Sequence, residues 1–411
     1  MTEINRRKFL IAGAGVGAAG LLSGVAAVTW PQLHRAAQDS PLAAGTGILV
    51  IVTLYGGNDG LSTVIPYADN AYYDARTDIA YAPTEVLPLD AELGLNPAWK
   101  GLARVWNDKK LAIVRGVSYP KPDRSHFRSM DIWQSGSPAD AVSTGWIGRW
   151  LEATGDHPLR AVNIGAVLPP MAVGEKVTAA ALSGTESPLG DAINRTLSTL
   201  GSGSAADTPA MAAVCTSYRA HHVFNATLAP LNSDNDSSTG FAPTAGSLDS
   251  PDGDNRLADE LSMVAKCVKA RVPSTVYMVK LGGFDTHSNE RYAQQKLLQK
   301  VDDAVTPFLR DMAADEYGKN VVVMMYSEFG RRVAANASQG TDHGTAGPVF
   351  IAGGPVKGGF YGDEPSLTDL DDGDLKGTTD FRDIYYELLS KTIKTDPTPS
   401  VGPGRHDIGF L

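Results

Sequence analysis

The sequence predicts an α/β fold in which a mostly parallel central sheet carries helices on both faces, and three observations lead there. Short apolar runs rich in β-branched residues recur at residues 47–55 (GILVIVTLY), 111–117 (LAIVRGV), 274–281 (STVYMVKL), 321–326 (VVVMMY) and 348–352 (PVFIA). Runs without polar alternation suit strands buried on both faces. Between them lie stretches of helical spacing, such as Leu257, Leu261, Val264 and Val268. Finally, the runs stop at Gly-rich polar turns, and in such sheets ligands bind beyond the strand carboxyl ends.

A chain of 411 residues with 43% hydrophobic content can bury a large core, as one α/β domain or as two or three smaller ones. Its formal net charge of −10 argues against a nucleic-acid partner. Two cysteines, Cys215 and Cys267, allow one bridge at most and no thiolate zinc site.

Taken in order, the chain opens with Arg6-Arg7, then Phe9-Leu10 and a Gly/Ala-rich apolar stretch to Trp30. This resembles a twin-arginine export signal, so residues 1–40 are expected to be signal and linker, with cleavage near 26–37. The twin-arginine export machinery is then a partner, and the destination is the periplasm or the extracellular space. The alternative is a membrane anchor, since residues 9–30 are long enough to span a bilayer. After cleavage no membrane span remains.

The first strand, residues 47–55, ends at GGNDG, which makes Asp59 a candidate ligand or simply part of an Asn-Asp-Gly turn. Residues 95–106 read as an amphipathic helix and 111–117 as a second strand. A Pro-punctuated loop follows, and then Arg124, Ser125, His126 and Arg128 at a helix start. Ser125 falls at an N-cap, where the free amides and the helix dipole also favour an incoming anion. Residues 201–255 are rich in Ser, Thr, Asp, Gly and Pro, and read as a surface insertion that includes His221-His222. Beyond it, the 274–281 strand ends in GGFDTHSN, whose Asp285 and His287 could reach one cation. The 321–326 strand ends at Glu328, and His343 stands before the 348–352 strand. A helix over 379–394 and a Gly/Pro-rich tail close the chain.

With these motifs in view, LYGGNDGLSTVIPY, RSHFRSMDIWQSG, GGFDTHSN, SEFGRR and DHGTAGPVFIAGG together resemble the DUF1501 family of twin-arginine-exported bacterial proteins. At its strand ends that family resembles the alkaline phosphatase/sulfatase superfamily. The resemblance implies an alkaline phosphatase-like domain over residues 45–411. It also implies divalent metal, one or two ions of zinc, manganese, magnesium or calcium, at Asp59, Asp285, His287, Glu328 and His343. Ser125 is then similar to the helix-capping nucleophile, with His126 nearby and Arg124 and Arg128 as clamps for an anionic ester. Phe329 departs from the superfamily pattern, which has a histidine ligand there. One ion on Asp285, His287 and His343 is therefore the better-founded expectation; a second, on Asp59, Ser125 and Glu328, needs His126. The implied activity is hydrolysis of phosphate or sulfate esters through a metal-activated serine. The rival expectation is a non-catalytic exported binding or assembly protein on a degenerate scaffold.

Overall fold

The computed structural model describes residues 27–140, 142–155, 157–165, 167–182 and 255–411. Among these residues, ten strands form the central sheet. They are β1 (Ala27–Val28), β2 (Ile48–Leu54), β3 (Leu111–Ser118), β4 (Ala161–Ile164), β5 (Ala180–Leu182), β6 (Val276–Leu281), β7 (Val321–Tyr326), β8 (Gly347–Gly353), β9 (Gly359–Tyr361) and β10 (Thr379–Asp380). Their order is β1-β5-β4-β6-β2-β7-β8-β3-β9, with β10 also beside β3. Only β8 runs antiparallel to its neighbours β7 and β3. Every residue of β2 and β7 is buried, as expected of central strands covered on both faces.

Register brings the functional loops together. Thr53 of β2 lies opposite both Lys280 of β6 and Tyr326 of β7, so these three strands end side by side. β8 begins where β3 ends, with Gly347 opposite Val117. One edge of the sheet therefore collects the loops after β2, β3, β6 and β7, together with the loop before β8.

The helices are α1 (Trp30–Asp39), α2 (Lys100–Asn107), α3 (His126–Ser135), α4 (Trp146–Thr154), α5 (Arg256–Lys269), α6 (Glu290–Ala313) and α7 (Phe381–Glu387), which matter most here. α2 starts later than residue 95 because Gly94–Leu95 instead pairs with Val64–Ile65 in a small antiparallel sheet. The expected 379–394 helix is α7 continued by a π-helical turn, Leu388–Ile393.

The expected signal-and-linker segment differs from the structure at its end. Ala27–Val28 pairs with Ala181–Leu182, and α1 buries Leu33, Ala36 and Ala37 in the main core. Apolar side chains on one face of α1 make residues 27–39 part of the domain. The twin-arginine stretch, the 201–254 part of the expected insertion, Cys215 and His221-His222 lie outside the described residues. Cys267 is buried and unbridged.

Candidate metal centre

Three imidazoles and a carboxylate converge beyond the sheet edge. His126 is the first residue of α3, while Asp285 and His287 lie in the turn after β6. His343 ends a short strand, Thr341–His343, that pairs with Arg331–Ala335. His343 Nε2 is 3.0 Å from His126 Nε2, 2.9 Å from His287 Nε2 and 3.2 Å from Asp285 Oδ1. Asp285 Oδ1 is also 2.9 Å from His287 Nε2 and 3.4 Å from His126 Nε2.

The far side of each ring determines what the near side can do. His126 Nδ1 is 2.7 Å from Glu328 Oε1, His343 Nδ1 is 2.8 Å from the Arg124 carbonyl oxygen, and His287 Nδ1 is 3.3 Å from Asp342 Oδ1. A carboxylate or carbonyl oxygen only accepts, so each Nδ1 carries the proton. A neutral ring held in this way turns an Nε2 lone pair toward the others. Three lone pairs and a carboxylate oxygen at such distances repel one another unless positive charge lies beside them, and Arg331, 3.5 Å from His287 Nε2 and 2.7 Å from Asp285 Oδ1, supplies part of it. Ligating histidines are held this way, with the second nitrogen donating to an oxygen. The contacts of 2.9–3.4 Å also approach the edge of about 3.4 Å in a tetrahedron with arms of about 2.1 Å. His126, Asp285 and His343 thus form a group that could hold a metal ion, and His287 adjoins it.

The supporting residues follow from local sequence. Glu328 is buried, and its carboxylate accepts from the Gly56 amide at 2.9 Å and the Ser327 hydroxyl at 2.9 Å as well as from His126. Gly56, at φ +118°, is needed there: a Cβ would come within 2.5 Å of the Asp285 nitrogen. Phe329 is buried with its ring 4.8 Å from that of His126 and 5.0 Å from that of His343, an apolar floor under both. Arg331 is wholly buried as a side chain and donates to Asp285 Oδ1 at 2.7 Å and to the Phe284 carbonyl at 3.0 Å. Burial raises the Asp285 pKa, but Arg331 outweighs it and holds the carboxyl at about 2. The bond to Glu328 raises the pKa of His126, while burial lowers that of His343.

Other expected site residues stand apart from this cluster. Asp59 is fully buried, and both its oxygens meet Arg76, at 2.5 and 3.0 Å; it faces a cation already built into the chain. Burial raises the Asp59 pKa, but Arg76 more than offsets it and holds the carboxyl at about 2. Glu328 stands behind His126 as its proton acceptor instead of joining a second ligand set. Arg124 is tied through its guanidinium to Asp374 and Asp372, and Arg128 to Asp131, so both expected clamps face carboxylates of this chain. Ser125 is exposed and its hydroxyl does not cap α3. It sits between Arg124, whose carbonyl holds His343, and His126 itself. Arg331, Asp342 and Arg76 are absent from the sequence-based set. Arg331 could have been noticed in SEFGRR, next to Glu328, whereas Arg76 carries no motif.

Residues 247–392 match the family model described as "Protein of unknown function (DUF1501)", in keeping with the resemblance read from the motifs. No curated protein matches the chain. Several solved structures are similar. An alkaline phosphatase superfamily protein from Vibrio parahaemolyticus is 12% identical, over 90% of this chain and 77% of that one, with a TM-score of 0.42. A variant of TAB5 alkaline phosphatase with bound Mg is 12% identical, over 76% and 92%, with a TM-score of 0.34. A 2-O GAG sulfatase is 11% identical, over 76% and 65%, with a TM-score of 0.30.

Proposed function

We propose that this chain is an exported, metal-dependent hydrolase of phosphate or sulfate esters, working with one divalent cation held by His126, His287, His343 and Asp285. The observation that supports it is the set of three imidazoles whose Nδ1 protons are committed to oxygens and whose Nε2 lone pairs converge on Asp285. A ligand set rich in imidazole suits zinc better than manganese, magnesium or calcium, which favour oxygen ligands. When bound, such a cation neutralises charge on the ester and lowers the pKa of a coordinated hydroxyl. A second ion has little to hold it, because Asp59 is neutralised by Arg76 and Glu328 is engaged by His126, Ser327 and the Gly56 amide. The twin arginine near the N-terminus supports export.

The remaining roles fall to this chain's own residues. Ser125 Oγ, exposed at the start of α3, attacks phosphorus or sulfur as the bond to the alcohol oxygen breaks; the alcohol leaves with the serine proton, and water then cleaves the ester on Ser125, restoring the hydroxyl and releasing phosphate or sulfate. The N-terminal amides of α3 and the dipole behind them stabilise the anionic group in place of Arg124 and Arg128. Arg331 keeps Asp285 ionised and aimed at the imidazoles. The experiment is Ser125→Ala, assayed against aryl phosphates and aryl sulfates. Turnover falling at least about 100-fold with unchanged metal content and melting temperature is expected. Full turnover in the variant would exclude the serine route.

One observation favours the rival reading, a binding protein that keeps the ion without catalysis: both expected anion clamps are neutralised by carboxylates. Stoichiometric metal with no hydrolysis of any ester in the panel would favour that reading.

A further inference from the structure

The first strand and the first helix bear on where an export signal ends. β1 is the outermost strand of the central sheet, and its Ala27–Val28 pairs with Ala181–Leu182 of β5. Ala27 is half-buried and Val28 fully buried, so the chain goes under cover between these two residues. α1 follows at once. The Thr29 amide donates to Gln32 Oε1 at 2.8 Å, which fixes the first turn, and Lys266 Nζ of α5 stands 3.9 Å from the centre of the Trp30 ring. Leu33, Ala36 and Ala37 pack into the main core.

A cut within residues 28–39 would therefore remove part of the domain itself. Tolerance to cleavage depends on the burial and hydrogen bonding of the backbone concerned, and both are against a cut here. Loss of α1 would also open the apolar surface beneath Leu33, Ala36 and Ala37 to water, which is unfavourable. The small pair Ala36-Ala37 is closed for the same reason.

The sequence just upstream offers a better place. After Arg6-Arg7, the apolar run over residues 9–22 has the length of a signal core, and Ser23-Gly24-Val25-Ala26 follows it. A cut after Ala26 has Ala26 next to it and Gly24 third from it, the small-x-small arrangement of signal processing. One residue later, the bulkier Val25 would take the third position.

Resting on the export reading, we infer that this chain is processed between Ala26 and Ala27 by an endopeptidase that recognises small side chains. Water adds across that peptide bond, leaving a carboxylate on Ala26 and an ammonium on Ala27. The mature domain then keeps β1 and α1 whole, and residues 27–39 are not a linker.

The test expresses the full chain in a bacterium with a working twin-arginine system and determines the N-terminus of the exported product by chemical sequencing and intact mass. The product should read Ala27-Val28-Thr29-Trp30. An exported product starting at any other residue, or an uncut chain in the membrane fraction, would overturn the inference. In Ala26→Leu the cut at Ala27 should be lost and precursor should accumulate; processing equal to wild type would overturn the inference as well. Arg6→Lys combined with Arg7→Lys separates the site from the export route. This variant should stay uncut in the cytoplasm. If it is exported and cut at Ala27 as wild type is, the twin-arginine route is removed and the processing site stands. Wild-type export that depends on the two arginines but yields another N-terminus does the reverse, and wild type left uncut in the cytoplasm removes both.

Discussion

Replacing Arg76 with methionine would expose how completely this chain has closed the position where a second cation was expected. Arg76 and Asp59 are both fully buried, and the guanidinium makes two bonds to the carboxylate, at 2.5 and 3.0 Å. It also donates to the carbonyls of Val333 and Arg332, each at 2.8 Å. Methionine fills much of the space but leaves Asp59 charged and fully buried without its cation, and breaking a buried pair this way costs about 3–5 kcal/mol. The double variant Asp59→Asn with Arg76→Met should recover part of that loss, because no buried charge is then stranded. Urea denaturation at pH 7 measures both. A loss below about 1 kcal/mol for Arg76→Met would refute the argument, since it would mean that Asp59 finds another partner or that the pair contributes nothing.

Two further substitutions probe the same region. Glu328→Gln should weaken metal binding about 10–100-fold in chelator competition, because the His126 Nδ1–H loses its charged acceptor; unchanged affinity would remove Glu328 from the account. Glu290, buried beside Asp59, has its pKa raised to about 9, first by burial and then by the Asp59 charge. A raised carboxyl pKa means that its stabilising contribution is complete below the unfolded value near 4.5 and is lost as pH rises toward 9. Wild-type stability should therefore fall between about pH 5 and 9, by at most about 1.4 kcal/mol per pH unit from this group, and Glu290→Gln should flatten the slope. A variant that retains the full slope in chemical denaturation would contradict this assignment.

The strands were legible because central strands need no polar face: VVVMMY and GILVIVTLY have no other comfortable place in a folded chain. That legibility extended to Asp285, His287 and His343, which follow or precede such runs at one sheet edge. It failed where a side chain's partner is distant in sequence. Asp59 stands at the right strand end, but Arg76 in α/β connecting sequence takes it, and nothing local announces a pair formed across a fold. His126 was expected to serve a second ion, yet the direction of α3 carries its ring to His343. Arg124 looked free because its carboxylate partners, Asp372 and Asp374, stand 248 and 250 residues away; Arg128 pairs locally, with Asp131 three residues on. Phe329, which departs from the superfamily's ligand pattern, is an apolar support beneath the rings of His126 and His343.

The most direct measurement is the divalent metal content of the purified native protein, by elemental mass spectrometry, beside the variant His343→Ala. His343 Nε2 touches every other donor atom of the cluster, so its loss should abolish stoichiometric binding. The account predicts about one equivalent in the wild type, and well under about 0.2 in the variant under the same dialysis. No metal in protein produced under metal-replete growth, or equal metal in the two proteins, would contradict it.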